Sequence, residues 1–270
     1  MNFSLTEEQE MVQKTVREFV QNELIPLEQE MLRNDREGKI PITDEKIKEL
    51  QLKAKEMGFW GINTPEEYGG ANLGPILTTL INIELGKTIV PFTFGGDADN
   101  ILYYCNEEQK KKYLIPVING EKECCFALTE PGAGSDARNI KMSAEKDGDH
   151  YVLNGEKIFI SRAHKADFAM VFAVTDKEKR GRGGVTCFLV DREMGWRTEP
   201  IHTMDDWIVS SVIFENVRVP EENILGELGR GFELALSWIT MGRIKIGAWS
   251  VGTAERLLAS LLVNTRPFSG

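Results

Sequence analysis

Cysteine, histidine and long apolar runs are scarce in this sequence, and each scarcity excludes a class of protein. The four cysteines include no CxxC pair, which argues against a disulfide scaffold and predicts buried free thiols in a reducing compartment. The three histidines are scattered and form no ligand pair, so we predict no metal site. No apolar run is long enough to span a bilayer, so we expect no membrane segment.

Positive charge is also in short supply, since 32 Lys and Arg residues face 42 Asp and Glu residues. Nucleic acids and anionic membranes bind basic surfaces, so a formal charge of −10 predicts that neither is a partner. A local cationic pocket for an anionic ligand remains open. The acidic N-terminus has neither a secretory apolar segment nor an Arg-rich transit pattern, which predicts a cytoplasmic protein.

Residues 1–120 have the pattern of helices. Thr6 and Gln9 are spaced as a capping box that opens an amphipathic helix, which we expect to stop at Pro26. A second helix is predicted from Thr43 to Met57, and a third over PILTTLINIELG. The polar run NEEQKKKYL is a fourth, which Pro116 is expected to end.

Residues 121–226 change to short segments rich in β-branched and aromatic residues. Because these segments follow one another without helices, they predict an antiparallel sheet or barrel and not a doubly wound fold. Within HYVLNGEKIFIS, Asn154-Gly155 has the composition of a tight hairpin turn. From Gly229 to about Val263 the sequence is again helical and apolar on nearly every face, which is typical of a helix buried among others.

The stretch FALTEPGAGSDARN contains the spacing GxGxxA, which also occurs in dinucleotide-binding loops. Such a loop must open a helix, yet Ile140, Met142 and Ala144 alternate with polar residues as in a strand. We therefore exclude a dinucleotide fold. The residues alone leave two alternatives, an ordinary structural loop or a loop whose glycines let the backbone approach an anion or cofactor.

Four motifs in order extend the interpretation: NTPEEYGG, TEPGAGSD, NGEKIFIS and FENVRVPEENILGELGRGF. Together with MGRIKIGAWSVGTAERLL, they resemble the flavin-dependent acyl-CoA dehydrogenase family almost to residue 258. The resemblance implies an α+β protein in three parts. These are an N-terminal all-helical domain (1–120), a middle antiparallel β-barrel (121–226) and the first helix of a truncated C-terminal helical bundle (227–270).

The resemblance also implies FAD as cofactor and acyl-CoA as substrate. The positions that match the family's flavin contacts are Phe126, Leu128, Thr129, Gly134, Ser135, Phe159, Ile160 and Ser161. Among these, Phe159 is expected to stack near the ring and Ser161 to hydrogen-bond at its reactive edge. Ser135 and Arg243 match positions that contact the CoA moiety.

Three departures from the family pattern stand out. The family's catalytic Glu usually lies in the last third of a longer chain, and its alternative position holds Gly242 here, so we assign no catalytic residue. The run from Asp205 to Val209 replaces an Arg-x-Ser-x-Thr-like segment, which leaves that part of the environment in doubt. The tail with Pro267 breaks the last helix and is expected to mark a premature end.

Two hypotheses of different classes follow. The first is an enzyme that dehydrogenates an acyl-CoA at its 2,3-bond and passes electrons to an electron-transfer flavoprotein, with another flavin chemistry such as an oxidase as a weaker variant. The second is a non-catalytic flavin- or CoA-binding remnant, or a subunit that needs a complementing C-terminal chain. The apolar last helix predicts association, as a homo-oligomer or with a bundle partner.

Overall fold

A computed structural model describes residues 4–179, 181–203 and 208–264 of the chain. Two sequence features, the divergent residues Asp205–Trp207 and the tail after Asn264, lie outside this part. The chain divides into two compact units, here called the helical unit (Met1–Asp97 with Thr240–Gly270) and the sheet unit (Ala98–Ile239). The predicted division into three domains stays a prediction.

Seven α-helices lie in the described part of the chain. Their bounds are α1 (Glu7–Phe19), α2 (Glu28–Arg36), α3 (Asp44–Glu56), α4 (Gly74–Leu85), α5 (Glu107–Gln109), α6 (Ile115–Ile118) and α7 (Gly231–Asn264). No helix of this part is long and apolar enough to cross a membrane.

The capping box at the start of α1 is confirmed. Thr6 Oγ1 accepts a hydrogen bond from the Gln9 amide at 3.2 Å, and Gln9 Oε1 accepts one from the Thr6 amide at 3.1 Å. The apolar stripe of α1 buries Val16 and Phe19, and Phe19 packs on Phe92 with 5.4 Å between ring centroids. These residues belong to the core of the helical unit.

Proline ends neither of the helices for which this was predicted. After α1, a π-helical turn (Val20–Leu24) and a 3₁₀ turn (Ile25–Leu27) carry the helical chain past Pro26 into α2. After α5, a π-helical turn (Lys110–Leu114) leads into α6, in which Pro116 occupies the first turn. Both prolines stand in a first turn, where an amide proton has no intrahelical acceptor, so both are tolerated.

Eight strands form one sheet in the sheet unit. They are β1 (Cys124–Ala127), β2 (Ser143–Asp147), β3 (His150–Ser161), β4 (Phe168–Val174), β5 (Val185–Asp191), β6 (Arg197–Ile201), β7 (Val209–Pro220) and β8 (Ile224–Leu225). The strand order is β6-β7-β3-β2-β4-β5-β8, and β1 pairs with β4. The mixed helical and β class is thereby confirmed.

The antiparallel barrel was wrong in two respects. First, β1 runs parallel to β4, and β2 meets β4 in parallel at one pair. Second, the sheet is open: among the described residues no ladder joins the end strands β6 and β8. Pro200 removes an amide donor from β6, and β8 is only 2 residues long, so neither offers a long edge for closure.

The hairpin was predicted at the wrong glycine. The turn between β2 and β3 lies at Gly148 and Asp149, whereas Asn154-Gly155 lies inside β3. Gly155 has φ +149°, and a Cβ there would come within 2.8 Å of the Met142 side chain. The glycine therefore serves a close approach between strands instead of a turn.

The core cluster of the sheet unit takes alternate residues of its central strands. Every residue of β4 is buried, so this strand shows no polar alternation. The cluster includes Leu153, Val171, Val190 and Phe214. This packing holds the ends of β1 and β3, from which the candidate site is built.

Candidate functional site

The end of β1 and the end of β3 lie side by side in the sheet unit. The Ile158 amide donates to the Thr129 carbonyl at 2.9 Å, and Lys157 Nζ donates to the Leu128 carbonyl at 2.9 Å. These bonds bring Leu128 and Thr129 next to the segment Phe159–Ser161, and Phe126 lies two residues earlier on β1. Two groups of residues that the motifs predicted, 30 positions apart in the sequence, thus form one surface.

A β-bulge turns Phe159 outward at the end of β3. Lys157 pairs with Val212 and Ile160 with Ser210, so two residues of β3 face one residue of β7. Phe159 has φ +58°, and the residue is 59% exposed. A large aromatic in left-handed backbone costs about 1–3 kcal/mol, and such strain concentrates at functional sites.

The two residues after Phe159 point in opposite directions. Ile160 is buried at 3% exposure and anchors the strand in the core, whereas Ser161 is exposed. The Ser161 side chain is therefore open to a ligand two residues after Phe159. An exposed aromatic face next to an exposed hydroxyl suits a planar heteroaromatic ligand with polar edge atoms.

The glycine loop begins with a tight turn that keeps its backbone open. The Ala133 amide donates to the Glu130 carbonyl at 3.0 Å, and the reverse bond spans 3.2 Å. Gly132 and Gly134 are exposed, and a Cβ built on either would find no atom within 4 Å. Ser135 is exposed as well, so amide and hydroxyl donors of this loop can reach a ligand.

Phe126 carries an aromatic partner that sequence reasoning missed. The Trp238 ring, in the second turn of α7, stacks on Phe126 with 3.9 Å between centroids and 8° between planes. Asp99 Oδ1 accepts from Trp238 Nε1 at 2.8 Å and so fixes the indole. Phe126 lies on β1 and Trp238 more than 100 residues later, so local patterns did not reveal the pair.

A buried ion pair lies beneath the glycine loop, and it too was missed. Lys157 is 0% exposed and its Nζ lies 2.8 Å from Glu130 Oε1. Burial lowers the pKa of Lys157 to about 8, against the opposing attraction of Glu130. Glu130 lies inside the TEPGAGSD motif and Lys157 inside NGEKIFIS. The alternation of buried and exposed residues along NGEKIFIS turns position 157 inward, so a lysine at that position was the signal available in the sequence.

Gly242 and Arg243 lie on α7 in the helical unit. Gly242 has no side chain, and nothing lies within 4 Å of a Cβ built there. Arg243 is exposed. The predicted role of Arg243 in CoA binding stays a prediction.

The four cysteines are free thiols. Burial raises the pKa of Cys125 to about 12 and the pKa of Cys105 to about 12. Burial also raises the pKa of Cys187, which is fully enclosed in the sheet. A thiol with a raised pKa is a weak nucleophile, so these cysteines act as small apolar core residues.

Two family models match this chain over most of its length. The model described as acyl-CoA dehydrogenase, N-terminal domain, matches residues 6–121, and the model described as acyl-CoA dehydrogenase, middle domain, matches residues 125–217. The chain belongs to the acyl-CoA dehydrogenase family.

Curated relatives agree with this assignment. A short-chain specific acyl-CoA dehydrogenase of Clostridium acetobutylicum is 37% identical over 94% of this chain and 67% of its own length. A 3-(aryl)acrylate reductase of Clostridium sporogenes is 37% identical over 93% of this chain and 66% of its own length. The chain thus spans about two thirds of the length of these relatives.

A solved structure supports the fold. The butyryl-CoA dehydrogenase of Megasphaera elsdenii is 33% identical, with a TM-score of 0.83 over 100% of this chain and 72% of that chain. The likeness therefore extends over both units, each with its own fold, and over the residues of the candidate site.

Proposed function

We propose that the protein is an FAD-dependent acyl-CoA dehydrogenase that oxidises the 2,3-bond of an acyl-CoA thioester. The observation that carries the proposal is that the end of β1 lies beside the end of β3. There, hydrogen bonds of Thr129 and Leu128 with the residues before Phe159 join the two motif segments into one surface. Membership in the acyl-CoA dehydrogenase family supplies the chemical class.

The residues at this surface suit a flavin. Phe159 presents an exposed ring on a strained backbone, and Ser161 presents a hydroxyl two residues later. The loop around Gly134 has room for close approach of a phosphate or ribityl chain, because nothing fills the space where a Cβ would lie. An aromatic face, a polar edge and an open amide loop can bind and orient the ring and the phosphate side of FAD.

Each proposed contact has a physical role. Phe159 and Phe126 position the ring, and Ser161 hydrogen-bonds its edge. Thr129, Gly134 and Ser135 bind the ribityl-phosphate side through their amides and hydroxyls. Leu128 and Ile160 are buried and keep water away from the surface beneath these contacts. When bound, FAD supplies the acceptor for the hydride that leaves the substrate.

Oxidation of the 2,3-bond also releases a proton, which needs a base. Gly242 has no side chain that can accept a proton, so the proposal requires a carboxylate at another position. Arg243 is proposed to bind the CoA moiety, because a guanidinium pairs well with phosphate. Ser135 is proposed to contact the CoA chain as well.

The proposed partners follow from the same chemistry. Reduced flavin must pass its electrons on, and we propose an electron-transfer flavoprotein as acceptor. We also propose association with another chain, because the last turns of α7 expose four leucines at 59–62%: Leu257, Leu258, Leu261 and Leu262. Exposed apolar rows of this kind mark interaction surfaces.

Anaerobic spectroscopy of the purified protein tests this function. The protein is reconstituted with FAD, butyryl-CoA is added, and the visible flavin absorption is followed. We expect bleaching that requires both the protein and the thioester. A protein that binds FAD yet shows no bleaching with any acyl-CoA of short, medium or aryl-substituted chain would contradict it.

The second candidate is a subunit that binds flavin or CoA and acts with a complementing chain. The exposed leucines of α7 favour it, because they leave an apolar surface suited to other helices. It predicts that acyl-CoA raises the melting temperature of the FAD-loaded protein without turnover. A dehydrogenation rate of the isolated chain well above that of free flavin would exclude it.

A further inference from the structure

The ion pair beneath the glycine loop joins three segments of the sheet unit. Lys157 Nζ donates to Glu130 Oε1 at 2.8 Å and to the Leu128 carbonyl at 2.9 Å. Glu130 in turn accepts the amides of Lys141 at 2.6 Å and Met142 at 3.0 Å. The cluster thus ties β3 to the end of β1 and to the chain that enters β2.

Both charges are buried, with Lys157 at 0% and Glu130 at 7% exposure. Removing two charges from water carries a large desolvation cost, and apolar residues of the same size often stabilise a core as well. A gain in folding stability therefore does not account for this pair. Its hydrogen bonds have fixed directions, which apolar contacts lack, so the pair is suited to fixing geometry.

The positions of the two residues in the chain indicate which geometry is fixed. Glu130 lies two residues before Gly132, at the stem of the glycine loop, and Lys157 lies two residues before Phe159, at the start of the bulge. The strained backbone of Phe159 persists only where its surroundings hold it. The buried pair thus holds together the start of the glycine loop and the start of the Phe159 bulge, and it takes up none of the exposed surface of either segment.

We propose that Lys157 and Glu130 are positioning residues that hold the glycine loop and the Phe159 bulge in register. They touch no ligand and act through the backbone of the segments that carry Gly134, Phe159 and Ser161. The role in ligand binding rests on the proposed flavin function, whereas the clamping of the two segments is a property of the chain alone.

Backbone amide exchange of the flavin-free protein tests the clamp directly. The variants are Lys157→Met, Glu130→Gln and the double variant, which removes both charges together. We expect exchange at residues 128–142 and 157–161 to rise at least tenfold in all three, with β4 and β5 unchanged. Unchanged exchange in these segments of a folded variant would overturn the proposal.

A second ion pair of the sheet unit provides the matched control. Lys146 on β2 and Glu221 lie 2.9 Å apart, but both side chains are about half exposed. Lys146→Met and Glu221→Gln therefore change the same charges without removing a buried clamp. Exchange at residues 128–142 and 157–161 is expected to stay at wild-type rates in these variants, and an equal rise would overturn the proposal.

The double variant separates positioning from simple stability. Loss of one partner leaves a buried unpaired charge and lowers the melting temperature, whereas loss of both restores much of it. If the pair only stabilised the fold, the double variant would recover wild-type exchange in the two segments together with its melting temperature. Continued fast exchange at a recovered melting temperature is the result that positioning predicts.

FAD titration of the same proteins tests the link to the site. We expect the dissociation constant to rise at least tenfold in the double variant, with an altered visible circular dichroism of the bound flavin. Wild-type affinity and spectrum in a variant with fast exchange would overturn the positioning of flavin contacts. Absence of FAD binding by the wild type would instead contradict the proposed function, and the exchange experiment would still decide on the clamp.

Discussion

Phe159 departs from an ordinary strand residue both in backbone and in side chain. Its φ of +58° is unfavourable for a residue with a Cβ, and the residue remains 59% exposed. A change that relieved the strain would therefore lose little buried apolar surface. We therefore expect Phe159 to contribute to ligand binding and not to folding stability.

The first prediction concerns Phe159→Gly. Glycine adopts positive φ without steric cost, so we expect stability to stay equal or rise by up to about 1 kcal/mol in thermal or urea unfolding. FAD affinity is expected to fall at least tenfold, because the ring contact is gone. A loss of several kcal/mol would show that the ring supports the fold.

Asn216→Gly is the matched control for this variant. Asn216 has φ +53° at the other irregularity between β3 and β7, away from the residues proposed to bind flavin. The same glycine change there should leave FAD affinity at the wild-type value. An equal loss of affinity in both variants would indicate a general effect of loosening the strand pair.

The motifs predicted the residues of the candidate surface but not those that support it. Phe126, Phe159 and Ser161 lie in segments with distinctive sequence motifs, so the family resemblance could assign them a role in flavin binding. Trp238 and the contact of Lys157 with Glu130 depend on side chains that approach across the fold. Alternation along β3 marks Lys157 as inward, but a single sequence does not show which distant residues pair.

At the scale of elements, Trp238 packs the first turns of α7 against β1. Trp238 stacks on Phe126 and donates to Asp99, so the contact has an apolar and a polar part. The two parts are separable because phenylalanine keeps a stacking ring but lacks the indole N–H.

The second prediction compares Trp238→Phe with Trp238→Ala. We expect the phenylalanine variant to lose about 1.5 kcal/mol of unfolding free energy, for one hydrogen bond to a carboxylate. The alanine variant is expected to lose about 2–3 kcal/mol, because the half-buried ring and its stacking are removed as well. Equal losses in urea unfolding would show that the ring contributes nothing beyond its hydrogen bond.

A buried carboxylate joins α1 to α4 in the helical unit. Glu84 is 0% exposed and accepts from Arg17 Nη2 at 2.9 Å, from Gln13 at 2.9 Å and from Lys87 at 3.2 Å. Burial acts to raise the pKa of Glu84, but the hydrogen bonds and charges of Arg17 and Lys87 outweigh it, and the pKa is lowered.

The third prediction follows from the sign of that shift. Because the folded-state pKa lies below the unfolded value of 4.5, Glu84 stabilises the fold above about pH 4.5. This contribution is lost as the pH falls through the folded-state value. Glu84→Gln is expected to cost about 3 kcal/mol at neutral pH and to flatten the acid limb of the stability profile.

Glu107→Gln serves as control, since Glu107 pairs with Lys110 on the surface. Its effect on stability is expected to be small at every pH, because exposed pairs contribute little. If Glu84→Gln keeps the steep acid limb of the wild type, the assignment of acid sensitivity to Glu84 is wrong.

Local signals predicted the helices and strands better than they predicted their ends and turns. The helix that Thr6 caps and the apolar helix from Gly231 lie where the sequence indicated. Pro26 and Pro116 failed as stops, because π-helical and 3₁₀ turns place each proline in a first turn. The turn predicted at Asn154-Gly155 was wrong, because the glycine is needed there for the close approach of Met142.

At the scale of the whole molecule, the order of helical and β regions was predicted correctly, whereas the predicted closure of the sheet into a barrel was wrong. Closure depends on which strands become neighbours, and that is set by long-range pairing instead of local pattern. The parallel pairing of β1 with β4 is such a contact, and it also brings the glycine loop beside β3. The topology that sequence could not predict thus creates the candidate site.

A titration of the purified flavin-free chain with FAD, followed by flavin fluorescence anisotropy, tests the central claim most directly. We predict saturable binding of about one FAD per chain for the wild type, with at least tenfold weaker binding for Phe159→Gly and unchanged binding for Asn216→Gly. A folded wild-type chain that shows no saturable binding, or an affinity that Phe159→Gly leaves unchanged, would contradict the assignment of the flavin site to this surface.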